Sequence, residues 1–214
     1  MKVTLTFDNG PTAPITARVL DTLAAHDVKS TFFLVGENLA DPANRAAAQR
    51  AAAEGHWIGN HTLTHAVQFG DSPDYATVER EIGQAQRLIG DLATPGNPLF
   101  RPYGRGGVLD QRLFSRAALA YLEERQYTCV LWNCVPHDWE DSHGWVETCL
   151  ADIATREWSL VVLHDLPTGA MDHLPRFLEA LGRTGAEIVQ QFPPDCVPIR
   201  GGRIERSVEH LLAD

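Results

Sequence analysis

Lysine is nearly missing from this chain. Only Lys2 and Lys29 occur, and the other basic residues are arginines. Basic residues are also outnumbered: 18 Lys and Arg face 28 Asp and Glu, for a formal net charge of -10. That balance lacks the basic face a nucleic acid needs and opposes an anionic membrane surface. No apolar run is long enough to span a bilayer. No secretory leader is expected either, because Lys2 runs straight into an alternating strand pattern. Cysteine is sparse, and Cys129, Cys134, Cys149 and Cys196 show no zinc-type spacing. Without an export signal they are expected to be reduced and to act as small buried hydrophobes. The expectation is a cytoplasmic protein with no nucleic-acid or membrane partner. A phosphate-binding glycine fingerprint is lacking too. Tyr103-Gly104-Arg105-Gly106-Gly107 is rich in glycine but has neither the spacing nor the Lys of a P-loop.

What is present is a strand-helix alternation. Over 214 residues, with no linker, repeat or low-complexity segment, one domain covering 1–214 suffices. Val3, Leu5 and Phe7 alternate with Lys2, Thr4 and Thr6, the period of a strand. Further strands are expected over 30–35, 57–60, 99–102, 127–132, 160–163 and 186–189. Helices are expected over 15–25, between Asp41-Pro42 and Gly55, from 72 to about 92, and over 109–125, 144–155 and 172–183. About seven such units imply an α/β fold with parallel strands under helices. That count favours a barrel-like closure, with an open doubly wound sheet as the alternative.

Asp8, His61, Arg101, Asp138 and His164 all fall at or just past the C-terminal ends of expected strands. In parallel α/β barrels that rim carries the active site. His61 and His65 are four apart, so one helical turn would put both imidazoles on one side as metal ligands, the alternative being surface or capping histidines. Asp8 reads as a general base or, given Asn9-Gly10-Pro11, as a turn residue. Arg101 would clamp a carboxylate or make a surface salt bridge. His164 reads as a general acid or base, or as a core histidine bonded to Asp165.

These segments, in this order, resemble the polysaccharide deacetylase family (the NodB homology domain, carbohydrate esterase family four). Thr6-Phe7-Asp8-Asn9-Gly10 matches its Thr-Phe-Asp-Asp-Gly motif at four of five positions. His61-Thr62-Leu63-Thr64-His65 matches His-Ser/Thr-x-x-His in full. Arg101-Pro102-Tyr103-Gly104, Asp138-Trp139 and Leu163-His164 stand where three further motifs are expected. The resemblance implies a distorted, incomplete (β/α) barrel with about seven parallel strands. It also implies a metal-dependent hydrolase of a C–N amide bond that removes the acetyl group of an N-acetylated sugar or oligosaccharide. Asn9, His61 and His65 would hold a divalent metal, zinc in this family. Asp8 would be the base, Arg101 its orienting partner, and His164 with Asp138 the acid. The Tyr103 backbone N–H would hold the oxyanion, while Trp139 and Leu163 shape the acyl pocket.

Two positions depart from the family pattern. Asn9 replaces a metal-binding Asp, and a neutral amide oxygen attracts a divalent cation less strongly. The site would then bind its ion weakly, take a different ion or stay empty. Deamidation of Asn9-Gly10 would restore the carboxylate. Val135 stands where the Asp-x-x-Asp-Trp motif has its first Asp, and Asp138 is the available substitute. Two other functions stay open: a metal-free or retuned hydrolase of small, ureide-like amides, and a catalytically silent carbohydrate-binding domain.

Overall fold

The computed structural model describes residues 1–96 and 98–213. The first strand, β1 (Lys2–Asp8), is buried from Val3 to its end, as a parallel strand covered on both faces must be. Val3, Leu5 and Phe7 point outward into the main hydrophobic cluster under the helices. The polar face is not solvated. Thr6 Oγ1 donates to Val161 O at 2.8 Å and accepts from Arg101 Nη1 at 2.7 Å. The alternation therefore separates an apolar outer face from a polar inner one.

Parallel pairing continues through β2 (Thr31–Leu34), β3 (Trp57–Asn60), β4 (Leu99–Phe100) and β5 (Thr128–Cys129) on one side of β1. On its other side lies β6 (Trp158–His164), with Asp8 opposite His164. A parallel bridge between Cys134 and Val161 joins the segment after β5 back to β6 and curls the sheet into a distorted barrel. The strand β7 (Glu187–Ile188) pairs with Lys2 and Val3, below the stretch of β1 that pairs β2. These seven strands are the parallel set, as the resemblance implied. A hairpin of β8 (Ile199–Arg200) and β9 (Arg203–Ile204) adds two antiparallel strands beside β5. The sequence reading missed it, although Gly201-Gly202 is a hairpin turn signal.

Helices α1 (Ala13–Ala25), α2 (Pro42–Ala53), α6 (Trp145–Ile153) and α7 (Leu174–Arg183) cover the sheet. In α7 the buried residues are Leu174, Phe177, Leu178 and Leu181, the three-four spacing of one apolar face. Asp41 caps α2 by accepting from Ala43 N at 2.7 Å. The expected helix from 72 to about 92 is broken into α3 (Tyr75–Val78), a π turn (Glu79–Gln84) and α4 (Ala85–Ile89). The helix expected over 109–125 is only α5 (Arg116–Glu124). Ser115 starts it by accepting from Ala118 N at 3.2 Å, so 109–115 stays a turn despite the buried Leu113. Among the described residues no helix is long and apolar enough to cross a membrane.

Candidate active site

A cavity of about 260 Å³ opens at the C-terminal rim of the strands. Of the residues expected to form the site, Asp8, Asn9, His61, His65, Tyr103, Trp139 and His164 line it. Arg101 and Asp138 lie wholly buried behind it. Leu163 is not part of it. Strand alternation turns Leu163 outward into the core under the helices, while Val162 and, beyond the strand end, Leu166 face the cavity.

Arg101 organises one half of the site. Its Nη1 donates to Asp8 Oδ1 at 2.8 Å, its Nε to Val130 O at 3.1 Å and its Nη2 to Leu131 O at 3.2 Å. The Phe33 ring lies 4.1 Å from the guanidinium carbon. Burial pulls the guanidinium below its ordinary value, and Asp8 opposes that. This is a buried, multiply bonded ion pair and not a surface bridge. It leaves Asp8 Oδ2 facing the cavity, 3.5 Å from His61 Nε2.

The two imidazoles meet without a helix, contrary to the one-turn expectation. Residues 61–66 form a bend in which Thr62 (φ 68°) and His65 (φ 53°) are left-handed. Such backbone costs about 1–3 kcal/mol per residue unless its surroundings hold it. Here they do. Asn60 Oδ1 accepts from Thr62 N at 2.9 Å, and Thr62 Oγ1 accepts from His65 N at 3.0 Å. Glu81, buried on the π turn, accepts from both Thr64 N and Thr64 Oγ1 at 3.0 Å. Sequence reasoning missed Asn60 and Glu81, because a π turn that re-aims one side chain has no simple pattern.

The His61 and His65 rings stand 4.6 Å apart, and Tyr103 packs 4.4 Å from His65. His61 Nδ1 donates to Arg101 O at 2.8 Å, so its Nε2 carries the lone pair. Burial pushes both imidazoles down to about 3, so both are neutral near pH 7. Asn9, left-handed at φ 69°, adds the third donor. Its Oδ1 is buried and has no hydrogen-bond partner. Two neutral imidazoles and an orphaned amide oxygen around one cavity fit a divalent cation. Among the described residues no three His, Cys, Asp or Glu side chains form such a set. The amide is therefore essential to the count.

Opposite stands His164. Its Nδ1 donates to Asp138 Oδ1 at 2.8 Å, and its backbone N–H donates to Asp138 Oδ2 at 2.9 Å. Asp165 is not its partner. Burial alone would lower this imidazole, but the bond to Asp138 and the charges of Asp138, Asp8 and Asp165 hold it above its ordinary value. Trp139 lies edge-on to its ring at 4.8 Å. The glycine-rich loop forms the far wall. Trp132 Nε1 donates to Gly107 O at 2.8 Å, and a Cβ on Gly104 would come within 2.5 Å of the Trp132 ring. Val135 packs under Gly107 and lines the cavity, leaving Asp138 alone to grip His164.

Known proteins resemble this chain in sequence and in fold. The chain is 35% identical over 164 residues to a chitooligosaccharide deacetylase of Rhizobium leguminosarum bv. phaseoli, covering 75% of this chain and 66% of that one. It is 30% identical over 200 residues to a peptidoglycan-N-acetylglucosamine deacetylase of Bacillus cereus, covering 88% of this chain and 66% of that one. The chain thus spans 66% of the length of these two relatives. A family 4 acetyl xylan esterase from Clostridium thermocellum, solved with a cobalt ion, superposes with a TM-score of 0.69 at 26% identity, covering 89% of this chain and 88% of that one. The polysaccharide deacetylase family model matches residues 1–130, from β1 through β5. With well over half its length matched, this chain belongs to the polysaccharide deacetylase family.

Proposed function

We propose that the chain hydrolyses the acetyl amide of an N-acetylated amino sugar, in a soluble oligosaccharide or a smaller molecule, with a divalent cation, zinc or a relative, at Asn9, His61 and His65. The observation that carries this reading is one cavity with the Asp8 carboxylate oxygen on one side and a histidine gripped by a buried carboxylate on the other. Two relatives named above are a chitooligosaccharide deacetylase and a peptidoglycan-N-acetylglucosamine deacetylase, and one structural neighbour was solved with a cobalt ion.

A cation at the three donors would supply Lewis acidity toward the acyl oxygen. The residues do the rest. Asp8 Oδ2 takes the proton of the attacking water. Arg101 fixes that carboxylate through the opposite oxygen. Tyr103 lines the cavity, and its backbone N–H, which donates to no acceptor among the described residues, would serve the oxygen on which charge develops. His164 Nε2 gives a proton to the leaving amine, and Asp138 holds the ring and stabilises its charged form. Trp132, Val135, Val162 and Leu166 provide the apolar wall for the acyl methyl.

The test is release of free amine and acetate from N-acetylglucosamine oligomers, with acetylated xylan as the ester comparison. Stoichiometric release from the amide substrates, dependent on added divalent cation, supports the reading. Tight binding of the same glycans without turnover contradicts it.

A further inference from the structure

Asp165 is a buried acid that the mechanism leaves unused. Asp165 follows His164 at the end of β6 and is fully buried. Its Oδ2 accepts a short hydrogen bond from Thr16 Oγ1, and Thr16 Oγ1 in turn accepts from Thr12 N at 2.8 Å. Its Oδ1 is buried with no partner. The carboxylate lies flat against Gly10, where an added Cβ would collide with both oxygens. A buried, half-satisfied acid is costly, and burial pushes its carboxyl up to about 6.

The same turn is held at two other points. Asn38 Nδ2 donates to Asn9 O at 2.8 Å, and Val35 N donates to Gly10 O at 2.9 Å. Both carbonyls around Gly10 are therefore tied, and Asp165 closes the remaining side.

We propose that Asp165 is a positioning residue of the site: held by Thr16 and laid against Gly10, its carboxylate fixes the turn that presents Asp8 and Asn9, and through the Asp8–His164 pairing it fixes that turn relative to the acid. This rests on the proposed reading only in giving Asp8, Asn9 and His164 their work. The contact is one of shape plus one hydrogen bond. An Asn at 165 keeps both, whereas an Ala opens the side of the turn.

Asn9-Gly10 provides a readout that needs neither metal nor substrate. Deamidation requires Gly10 N to attack Asn9 Cγ. Ammonia leaves, carrying the Gly10 proton, and water opens the cyclic imide to Asp or isoAsp. The peptide plane must turn for that attack, and the clamp opposes the turn. The experiment is peptide mapping by mass after timed incubation of wild type, Asp165→Asn, Asp165→Ala and Thr16→Val, with kcat and KM measured on N-acetylglucosamine oligomers. Asp165→Ala is expected to deamidate at Asn9 at least roughly tenfold faster and to lose roughly 10- to 100-fold in kcat with KM nearly unchanged, the scale of a misplaced reacting group. Thr16→Val is expected to shift both in the same direction by less, and it serves if Asp165→Ala does not fold. Asp165→Asn is expected to match wild type. Wild-type deamidation and kcat in Asp165→Ala and Thr16→Val would overturn the proposal, as would equal damage in Asp165→Asn. If wild type releases no amine but deamidation still accelerates in Asp165→Ala, the functional reading falls and the clamp stands.

Discussion

Asp138 grips His164 twice, through the ring Nδ1 at 2.8 Å and through the backbone N–H at 2.9 Å. One carboxylate therefore sets both the position and the tautomer of that imidazole, leaving Nε2 toward the cavity. Its hold on the proton has a measurable consequence. His164 has a raised folded value, so its protonated form adds stability that is complete below the unfolded value of about 6.5 and is lost as pH rises through the folded value. As an acid it must be protonated, so kcat should fall along the same rise. Asp138→Asn should lower kcat by about 10²–10⁴ and move the alkaline limb of the pH profile to lower pH, because the carboxylate that holds His164 up is gone. An unmoved limb in the kcat profile would separate His164 from the acid role.

The Arg101–Asp8 pair makes a second prediction, because it separates chemistry from stability. Asp8→Asn keeps the shape of the side chain and removes the base, so turnover should drop by about 10²–10⁴. Arg101→Met leaves a carboxylate buried without its cation and should cost about 3–5 kcal/mol of stability in denaturant unfolding. A fully stable Arg101→Met would show that the pair is not what holds the barrel interior at this point.

Most of the rim could be read from the sequence, because Asp8 and His164 end their strands and His61 and Arg101 stand one residue past theirs, at positions that the alternating pattern marks. What was hidden depends on contacts far apart in the chain. The resemblance puts Leu163 in the acyl pocket, yet one residue of register decides whether a strand side chain faces cavity or core. The joint between Thr16 and Asp165 spans most of the chain and leaves no local mark. The helix expected over 109–125 continued its apolar period through Leu113, and only the Ser115 cap shows where it begins. The hairpin at 199–204 has two-residue strands, too short for any period to register.

On the proposed reading, Asn9 sets the affinity of the cation site. Asn9→Asp adds a negative charge beside two neutral imidazoles and should raise zinc or cobalt affinity by about tenfold or more. His61→Ala should abolish binding. Calorimetric titration of the three proteins decides it, and equal affinity in wild type and Asn9→Asp would remove Asn9 from the donor set.

The cysteines should be silent. Cys129, Cys134, Cys149 and Cys196 are all buried. Burial raises the Cys129 thiol and pushes Cys196 up to about 12, while Cys149 is raised first by its contact with Cys134 and then by burial. A thiol reagent should leave the native protein unlabelled and modify all four cysteines once it is denatured. Fast labelling of the native protein would mean that the segment at Cys134, which closes the barrel, opens readily.

The central claim is tested most directly by amine release from N-acetylglucosamine oligomers, measured side by side for wild type and Asp8→Asn with zinc or cobalt supplied. The account predicts steady release by wild type, suppression on chelation, recovery on adding the metal back, and at least a hundredfold lower rate for Asp8→Asn. Equal rates in the two proteins, or a wild type that binds the oligomers and never releases amine, would contradict it.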